Sequence, residues 1–431
     1  MTEIADTIFA LATARGRAGV AIVRISGPGA FEAAEVMTGP LPRNGRRLRS
    51  LTARGGEMVD QALVLTFAAG KSFTGENVVE FQCHGGISIV DRLLRELSEM
   101  DGLRLAQAGE FTRRALGNGR LDLAEVEGLA SLVEAETEGQ RKQAMRLFSG
   151  ELGTLVQNWR QSLLEPVALI EATMDFVDED VPVDVVPGVR SAIIKLLAEL
   201  KFHADGAHVA ERMMDGFEVA IIGAPNLGKS TLLNRIAGRD AAITSHHAGT
   251  TRDVIEVRMD LNGLPVTMLD TAGLREALDD VERLGIERGK SRATSADLRV
   301  HLCEAPGDTD VSEGDDDIVL LAKDDDGSFG TKSVSGVTGH GVDRLIEDIA
   351  QRLAQRAGNA GVASRERHRR ALVDAMSHLN CALQRLDAHD IRLDIVAEDL
   401  RSAGRSLDVL IGRIDVEDVL GVIFERFCIG K

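Results

Sequence analysis

A chain of 431 residues is expected to fold as roughly two to four compact units, because a single hydrophobic core stops growing well below that length. Its formal charge of −18 excludes a surface that grips nucleic acid everywhere, since such affinity rests largely on neutralising phosphates. Apolar residues make up 44%, enough for sizeable cores, yet no run approaches the length that crosses a bilayer.

Met1 to Leu11 carries acids and lacks a basic segment ahead of its short apolar stretch, so it does not read as a secretion signal, and a cytoplasmic location is expected. Cys83, Cys303, Cys381 and Cys428 lie far apart with no C-x-x-C pair, which reads as free thiols in a reducing compartment. From Asp6 to about Gly119, short β-rich runs such as Val20-Ala21-Ile22-Val23 and Val78-Val79-Glu80-Phe81 alternate with glycine turns and one amphipathic helix near Ile89 to Leu97. That pattern describes a small α+β domain over residues 1–119. Apolar residues then return at helical spacing from Leu121 to Ile170, and the acidic stretch Asp175 to Asp184, with Pro182 inside it, interrupts them before a further helix at about Val189 to Met214.

At Phe217 the pattern changes to a buried strand, Phe217 to Ile222, a glycine loop and a helix start, the opening of an α/β nucleotide domain over residues 216–357. Between Ala305 and Asp326 the chain is acidic and irregular. Helical periodicity resumes from Arg369 to Phe427, ahead of the tail Phe427-Cys428-Ile429-Gly430-Lys431. The helical segments 120–215 and 358–431 are alike in character, so they read as one bundle with the nucleotide domain inserted. The expected fold class is multidomain α/β and α. Two basic clusters, Arg43 to Arg54 and Arg365 to Arg370, read first as solvated faces and second as RNA contacts.

Gly223-Ala224-Pro225-Asn226-Leu227-Gly228-Lys229-Ser230 fits G-x-x-x-x-G-K-S between a strand and a helix, where loop N–H groups and the positive helix end cradle phosphate. Lys229 is expected to reach the outer phosphates and Ser230 to ligate Mg²⁺. Thr251, in Gly249-Thr250-Thr251-Arg252-Asp253, offers a second hydroxyl for that metal. Asp270-Thr271-Ala272-Gly273 follows the apolar run Val266 to Leu269, placing Asp270 at a strand end near the metal and Gly273 where its N–H senses the γ-phosphate. Leu274 stands where many small GTPases use glutamine to orient water. Glu282 is the polar substitute proposed here, although local sequence fits a solvated helix acid equally well. A monovalent cation, with Asn226 as a donor, could replace the missing arginine finger.

Guanine reading commonly uses N-K-x-D after a strand. Here Ile318 to Leu321 precedes Ala322-Lys323-Asp324-Asp325, so Lys323 and Asp325 match while Ala322 replaces the asparagine. One lost hydrogen bond is worth on the order of 1 kcal/mol, which leaves guanine favoured. Ser335-Gly336-Val337 would supply the backbone contact to the base oxygen.

Taken together, these motifs resemble the MnmE (TrmE) family of tRNA modification GTPases over nearly the whole chain. The matching pieces include Asp6-Thr7-Ile8, Arg24-Ile25-Ser26-Gly27, Thr74-Gly75-Glu76, His84-Gly85-Gly86, Gly109-Glu110-Phe111-Thr112, Leu121-Asp122-Leu123-Ala124, the nucleotide motifs, Glu282 to Arg288 and the Phe-Cys-Ile-Gly-Lys tail. The resemblance implies an N-terminal α+β folate-binding and dimerising domain, a central helical bundle, and an inserted Ras-like P-loop GTPase domain activated by K⁺-dependent pairing with its twin. It implies GTP contacts from Asn226, Leu227, Gly228, Lys229, Ser230, Thr231, Ser245, His246, His247, Ala248, Gly249, Thr250, Thr251, Asp270, Thr271, Ala272, Gly273, Lys323, Asp325, Ser335 and Gly336. Mg²⁺ would lie on Ser230 and Thr251, K⁺ on Asn226, Ser245, His247 and Thr250, and Glu282 would orient water. Arg24, Glu80, Arg120 and Lys431 would bind a tetrahydrofolate derivative, 5,10-methylene- or 5-formyl-, with Arg120 in place of an expected lysine. Partners implied are a second copy of the chain, a flavin-bearing MnmG-like protein in a heterotetramer or larger complex, and tRNA. The chemistry implied is addition of a carboxymethylaminomethyl-type group at the 5-position of the wobble uridine. Two competing readings are a ribosome-assembly GTPase, which calls for a basic RNA module, and a folate-binding scaffold with weakened GTP binding, which Ala322 keeps open.

Overall fold

The structure is a computed structural model that describes residues 6–175, 185–239, 256–270, 294–305, 317–358, 360–388, 391–413 and 430. The chain divides into two compact units, Met1–Ala130 with Asp408–Lys431, and Ser131–Leu407.

In the first unit, β1 (Thr7–Leu11), β2 (Ala18–Ser26), β3 (Gly45–Thr52), β4 (Met58–Phe67), β5 (Val78–Gly85) and β6 (Leu103–Leu105) form one sheet in the order β3-β4-β5-β2-β1-β6. Neighbours are antiparallel except β6, which runs parallel to β1. One face packs Phe9, Val23, Ile25, Val79 and Phe81 against α1 (Ala30–Thr38) and α2 (Ile87–Ser98). Where the periodicity predicts one helix, the structure has three, α3 (Glu110–Gly117) being the last. The reason is local. Alanines give α1 little contrast between its faces, and α3, at 8 residues, is too short for its apolar spacing to repeat, so neither stands out as a periodic pattern. Cys83 is buried on β5, where desolvation and the nearby Asp60 charge push its thiol up to about 11. Cys83, Cys303 and Cys381 are free thiols, and Cys428 lies outside the described residues.

A buried charge network fixes the other face. Arg114, fully buried on α3, donates to Asp6 Oδ1 at 2.8 Å, to both Glu76 oxygens at 3.2 Å and to Glu110 Oε1 at 3.3 Å. From β6, Arg104 reaches Asp6 Oδ2 and Glu110 Oε1, each at 2.5 Å. Burial by itself would raise the Asp6 and Glu110 carboxyls. The two guanidinium groups outweigh it and hold both below the ordinary carboxylate range.

The second unit takes in the last turn of α4 (Leu123–Glu134) and then α5 (Glu138–Phe148), α6 (Glu151–Asp175) and α7 (Val186–Asp215). The nucleotide sheet follows: β7 (Phe217–Gly223), α8 (Lys229–Ala237), β8 (Glu256–Leu261), β9 (Leu264–Asp270), β10 (Leu298–Cys303), β11 (Ile318–Ala322), β12 (Ser333–Val334) and α9 (Val342–Ala357). Its order is β12-β11-β10-β7-β9-β8, parallel throughout except the antiparallel edge β8. Such strands are buried on both faces, which is why β7 and β9 read as apolar runs. Helix α10 (Glu366–Leu386) packs along α7, and α11 (Leu393–Leu410) follows it. A helix before the nucleotide sheet and one after it therefore pack against each other.

Helix α5 also touches the nucleotide sheet. Thr137 and Gln140 form a capping box at its start, and Gln140 Nε2 donates to Met214 O at 2.7 Å, on the last turn of α7. Gly139 N donates to Gly263 O at 2.8 Å, in the Asn262-Gly263 turn that joins β8 to β9.

Arg114→Met is expected to destabilise the first unit by about 3 kcal/mol, because it strands three carboxylates around a buried site; urea unfolding followed by circular dichroism measures this. Asp6 and Glu110 ionise more readily folded than unfolded. Their stabilisation is therefore complete above the unfolded carboxyl range, near pH 4, and is lost as pH falls through the folded values. The same titration repeated against pH should show that loss in the wild type and a smaller one in the variant.

Candidate nucleotide-binding site

The carboxyl end of β7 lies between the ends of β9 and β10, where strand order reverses and α/β sheets place their ligands. From there the loop runs through Asn226 and Gly228, both in left-handed backbone conformation, into α8. The Lys229 ammonium is folded back over the loop, donating to Gly223 O and Ala224 O at 2.8 Å each. Ser230 Oγ donates to Asp270 Oδ2 at 2.5 Å, so the end of β9 meets the first turn of α8. A hydroxyl and a carboxylate side by side are hard oxygen donors of the kind Mg²⁺ prefers.

At the base end, a cavity of about 240 Å³ is lined by Asn226, Leu227, Gly228 and Thr231 from the phosphate side and by Ala322, Lys323, Asp325, Ser335 and Gly336 from the strand ends. Asp325 Oδ1 accepts from Ser335 Oγ at 2.6 Å, and that hydroxyl accepts from Val337 N and Thr338 N. Ala322 is buried and has no polar side chain to join the two loops. Their junction is backbone packing instead: a Cβ on Gly336 would lie 2.6 Å from Leu232 N. The strand β11 is only partly buried, because its outer neighbour β12 pairs with only its last two residues. A larger cavity, about 380 Å³, lies between β11 and α9 beside Lys332 and Arg344. It contains no phosphate-binding residue, so loop chemistry and not volume marks the site.

A second group of candidate residues lies in the first unit. Arg24 Nε donates to Glu80 Oε1 at 2.7 Å, and its guanidinium lies 5.9 and 5.5 Å from the ring centroids of Phe73 and Phe111. Arg24 Nη1 also donates to Gly430 O at 3.4 Å, which places Gly430 beside this pair. Gly430 has φ of 105°, and a Cβ there would collide with Leu11 O, so only glycine fits. Arg120 is exposed, its stem against Gly75. Thr74, next to Gly75, bonds to Ser26 Oγ and Asn118 Nδ2, which connects that loop to β2.

Residues 123–428 match the family model described as the MnmE helical domain, and residues 7–120 match that of the GTP-binding protein TrmE N-terminus. The tRNA modification GTPase MnmE of Cereibacter sphaeroides is 55% identical over 428 residues, and that of Dinoroseobacter shibae 54% over 431, each spanning 99% of this chain and 100% of the relative. The chain belongs to the MnmE family of tRNA modification GTPases.

The family's α+β, helical and P-loop parts are all present in the fold. Era of Aquifex aeolicus, solved with GDP.AlF4-, aligns with 31% of this chain and 56% of its own at 25% identity and a TM-score of 0.24. That likeness is too slight to bear on the site, which stands on the chain's own geometry. Of the positions that the MnmE resemblance singled out, Ser245, His246, His247, Ala248, Gly249, Thr250, Thr251, Thr271, Ala272, Gly273, Glu282 and Lys431 lie outside the described residues. Asp324 escaped sequence reasoning although it is buried beside the base pocket. The signal in the sequence is an acid at the variable position of the base motif. Among the described residues, no helix is long and apolar enough to cross a membrane.

The two basic clusters differ. Arg369 and Arg370 pair with Glu366, and Arg365 donates to Ser131. In the other cluster Arg46 and Arg47 are exposed on edge strand β3 without an ion-pair partner among the described residues.

Gly336→Val is expected to raise the dissociation constant for GDP at least about tenfold, since overpacking at this junction must push the base loop away from α8. Equilibrium titration with a fluorescent GDP analogue measures the change.

Proposed function

We propose that this chain is a K⁺-activated GTPase whose cycle serves, with an MnmG-like flavoprotein, the folate-dependent addition of a carboxymethylaminomethyl-type group to the wobble uridine of certain tRNAs. The observation that supports this best is the presence in one chain of the Lys229, Ser230 and Asp270 cluster at the P-loop and of the Arg24–Glu80 pair that meets Gly430.

In this reading the loop N–H groups and Lys229 bind the phosphates, while Lys323 and Asp325 face guanine. Ser230 and Thr251 would hold Mg²⁺; Asn226, Ser245, His247 and Thr250 would hold K⁺. These cations offset charge that develops on the transferred phosphoryl group, the task of an arginine finger elsewhere. Glu282 orients the attacking water, a task an aliphatic Leu274 cannot perform. In the first unit the Glu80 carboxylate suits the N–H donors of a pterin ring, and Arg24, Arg120 and Lys431 offer cations to folate carboxylates. The bound tetrahydrofolate derivative supplies a one-carbon unit.

Pairing with a second copy fits the sheet face that carries Arg24 and Glu80. Leu63 and Leu65 are half-buried there, in register with Gln82 and Glu80, and Leu48, opposite Leu63, is 61% exposed. The unpaired Arg46 and Arg47 suit tRNA phosphates.

GTP turnover should be many-fold faster in KCl than in matched NaCl, and equal rates would count decisively against K⁺ activation. Glu282→Ala should lower kcat by roughly 10²-fold or more while GDP affinity is kept. Mass spectrometry of tRNA from cells lacking the chain should show wobble uridine without its 5-substituent. Arg46→Glu with Arg47→Glu should weaken tRNA binding and reduce its salt slope by about one per lost phosphate contact.

A further inference from the structure

We propose that Asp324 is a positioning residue for guanine selection, its buried carboxylate holding the Lys323–Asp325 loop where Ala322 has no side-chain hydrogen bond to offer. The premise, taken from the function proposed above, is that Asp325 faces the base.

Asp324 is 1% exposed. A carboxylate at that depth is costly unless donors compensate it. Its Oδ2 accepts from Ser333 Oγ at 2.5 Å and from Phe329 N at 3.2 Å, with His340 Nε2 at 3.6 Å, whereas Oδ1 is buried without a hydrogen-bond partner. The anchoring therefore falls on one oxygen, and its donors come from the start of β12 and from the turn that leads into it.

The loop needs such an anchor. Lys323 has φ of 61°, in the left-handed region that disfavours any side chain, so its neighbours must hold it there. On one flank Asp325 Oδ1 accepts from Ser335 Oγ at 2.6 Å. On the other, Ala322 contributes only a methyl group, and Asp324 is the residue whose side chain ties the loop to the structure beneath. Asp325 lines the base cavity and Asp324 does not, so two adjacent carboxylates face opposite ways, one toward the ligand and one toward the core. Asp324 touches no nucleotide and acts through its neighbours.

The test uses the full-length chain and measures GDP and IDP affinities together with GTP turnover. IDP lacks the exocyclic amine that an aspartate facing guanine would bind. Asp324→Ala is expected to weaken GDP about tenfold, to narrow the GDP/IDP ratio, and to raise KM for GTP while kcat holds. Asp324→Asn keeps an acceptor for Ser333 and Phe329 and should stay within about threefold of wild type. With Ala322→Asn already in place, the loss caused by Asp324→Ala should shrink to about threefold or less, because the asparagine resumes the tie. Equal losses in both backgrounds, or an unchanged GDP/IDP ratio, would overturn the role. If Asp324→Ala does not fold, Ser333→Ala removes the same hydrogen bond from its other end and must narrow the ratio in the same way, or the role is lost. Asp325→Asn separates the premise. If it leaves the GDP/IDP ratio untouched, Asp325 does not read guanine; if it collapses the ratio while Asp324→Ala spares it, only the positioning role fails.

Discussion

The nucleotide site depends on β7 pairing in parallel with β9 on one side and β10 on the other. Parallel register brings the carboxyl ends of three strands to one edge, and each end delivers a different component: the phosphate loop from β7, Asp270 from β9, and a wall of the base cavity, through Leu302, from β10. The Ser230–Asp270 hydrogen bond then joins residues forty positions apart in a way that neither segment could achieve alone. Because the strands are buried on both faces, their positions are fixed by apolar packing, and the polar chemistry is confined to the rim.

That rim is built differently at its two ends. The phosphate end uses backbone N–H groups, one ammonium and paired oxygens, all supplied by a contiguous motif and one strand end. At the base end the buried Ala322 removes the usual polar tie, and the structure distributes the work between Gly336, whose missing Cβ lets the loop lie on α8, and hydrogen bonds among Asp325, Ser335, Asp324 and Ser333. The β8–β9 hairpin, which ends at Asp270, is in turn bonded to α5 through Gly139 and Gly263, and Gln140 of α5 holds the end of α7 that leads into β7. Helical and nucleotide parts of this unit are therefore joined on both strands that carry phosphate-site chemistry.

The first unit follows another logic. Its sheet has one face covered by α1 and α2, while the opposite face is fixed by ionic contacts of a fully buried arginine and carries the Arg24–Glu80 pair. Charges buried this way specify geometry more than they add stability, because desolvation offsets much of their attraction. Arg114 ties Asp6 before β1, Glu76 before β5 and Glu110 at the start of α3, so it sets how the loop at 72–76 meets β2, close to Arg24 and Glu80.

The sequence by itself determined what depends on short-range order. The P-loop between a strand and a helix, the apolar parallel strands and the long helices were all legible, because loop geometry and periodicity are properties of consecutive residues. Arg24 and Glu80 became a candidate pair only through family resemblance; nothing local marks two residues 56 positions apart as ion-pair partners, and their meeting follows from the β2–β5 register. Helix α1 escaped because its alanines carry little pattern of their own, and α3 because it is too short for its pattern to repeat. Tertiary structure alone decided which of Asp324 and Asp325 faces the core. In sequence they are identical acids in one polar run, and only the Ser333 hydroxyl arriving on β12 makes burial of the first tolerable.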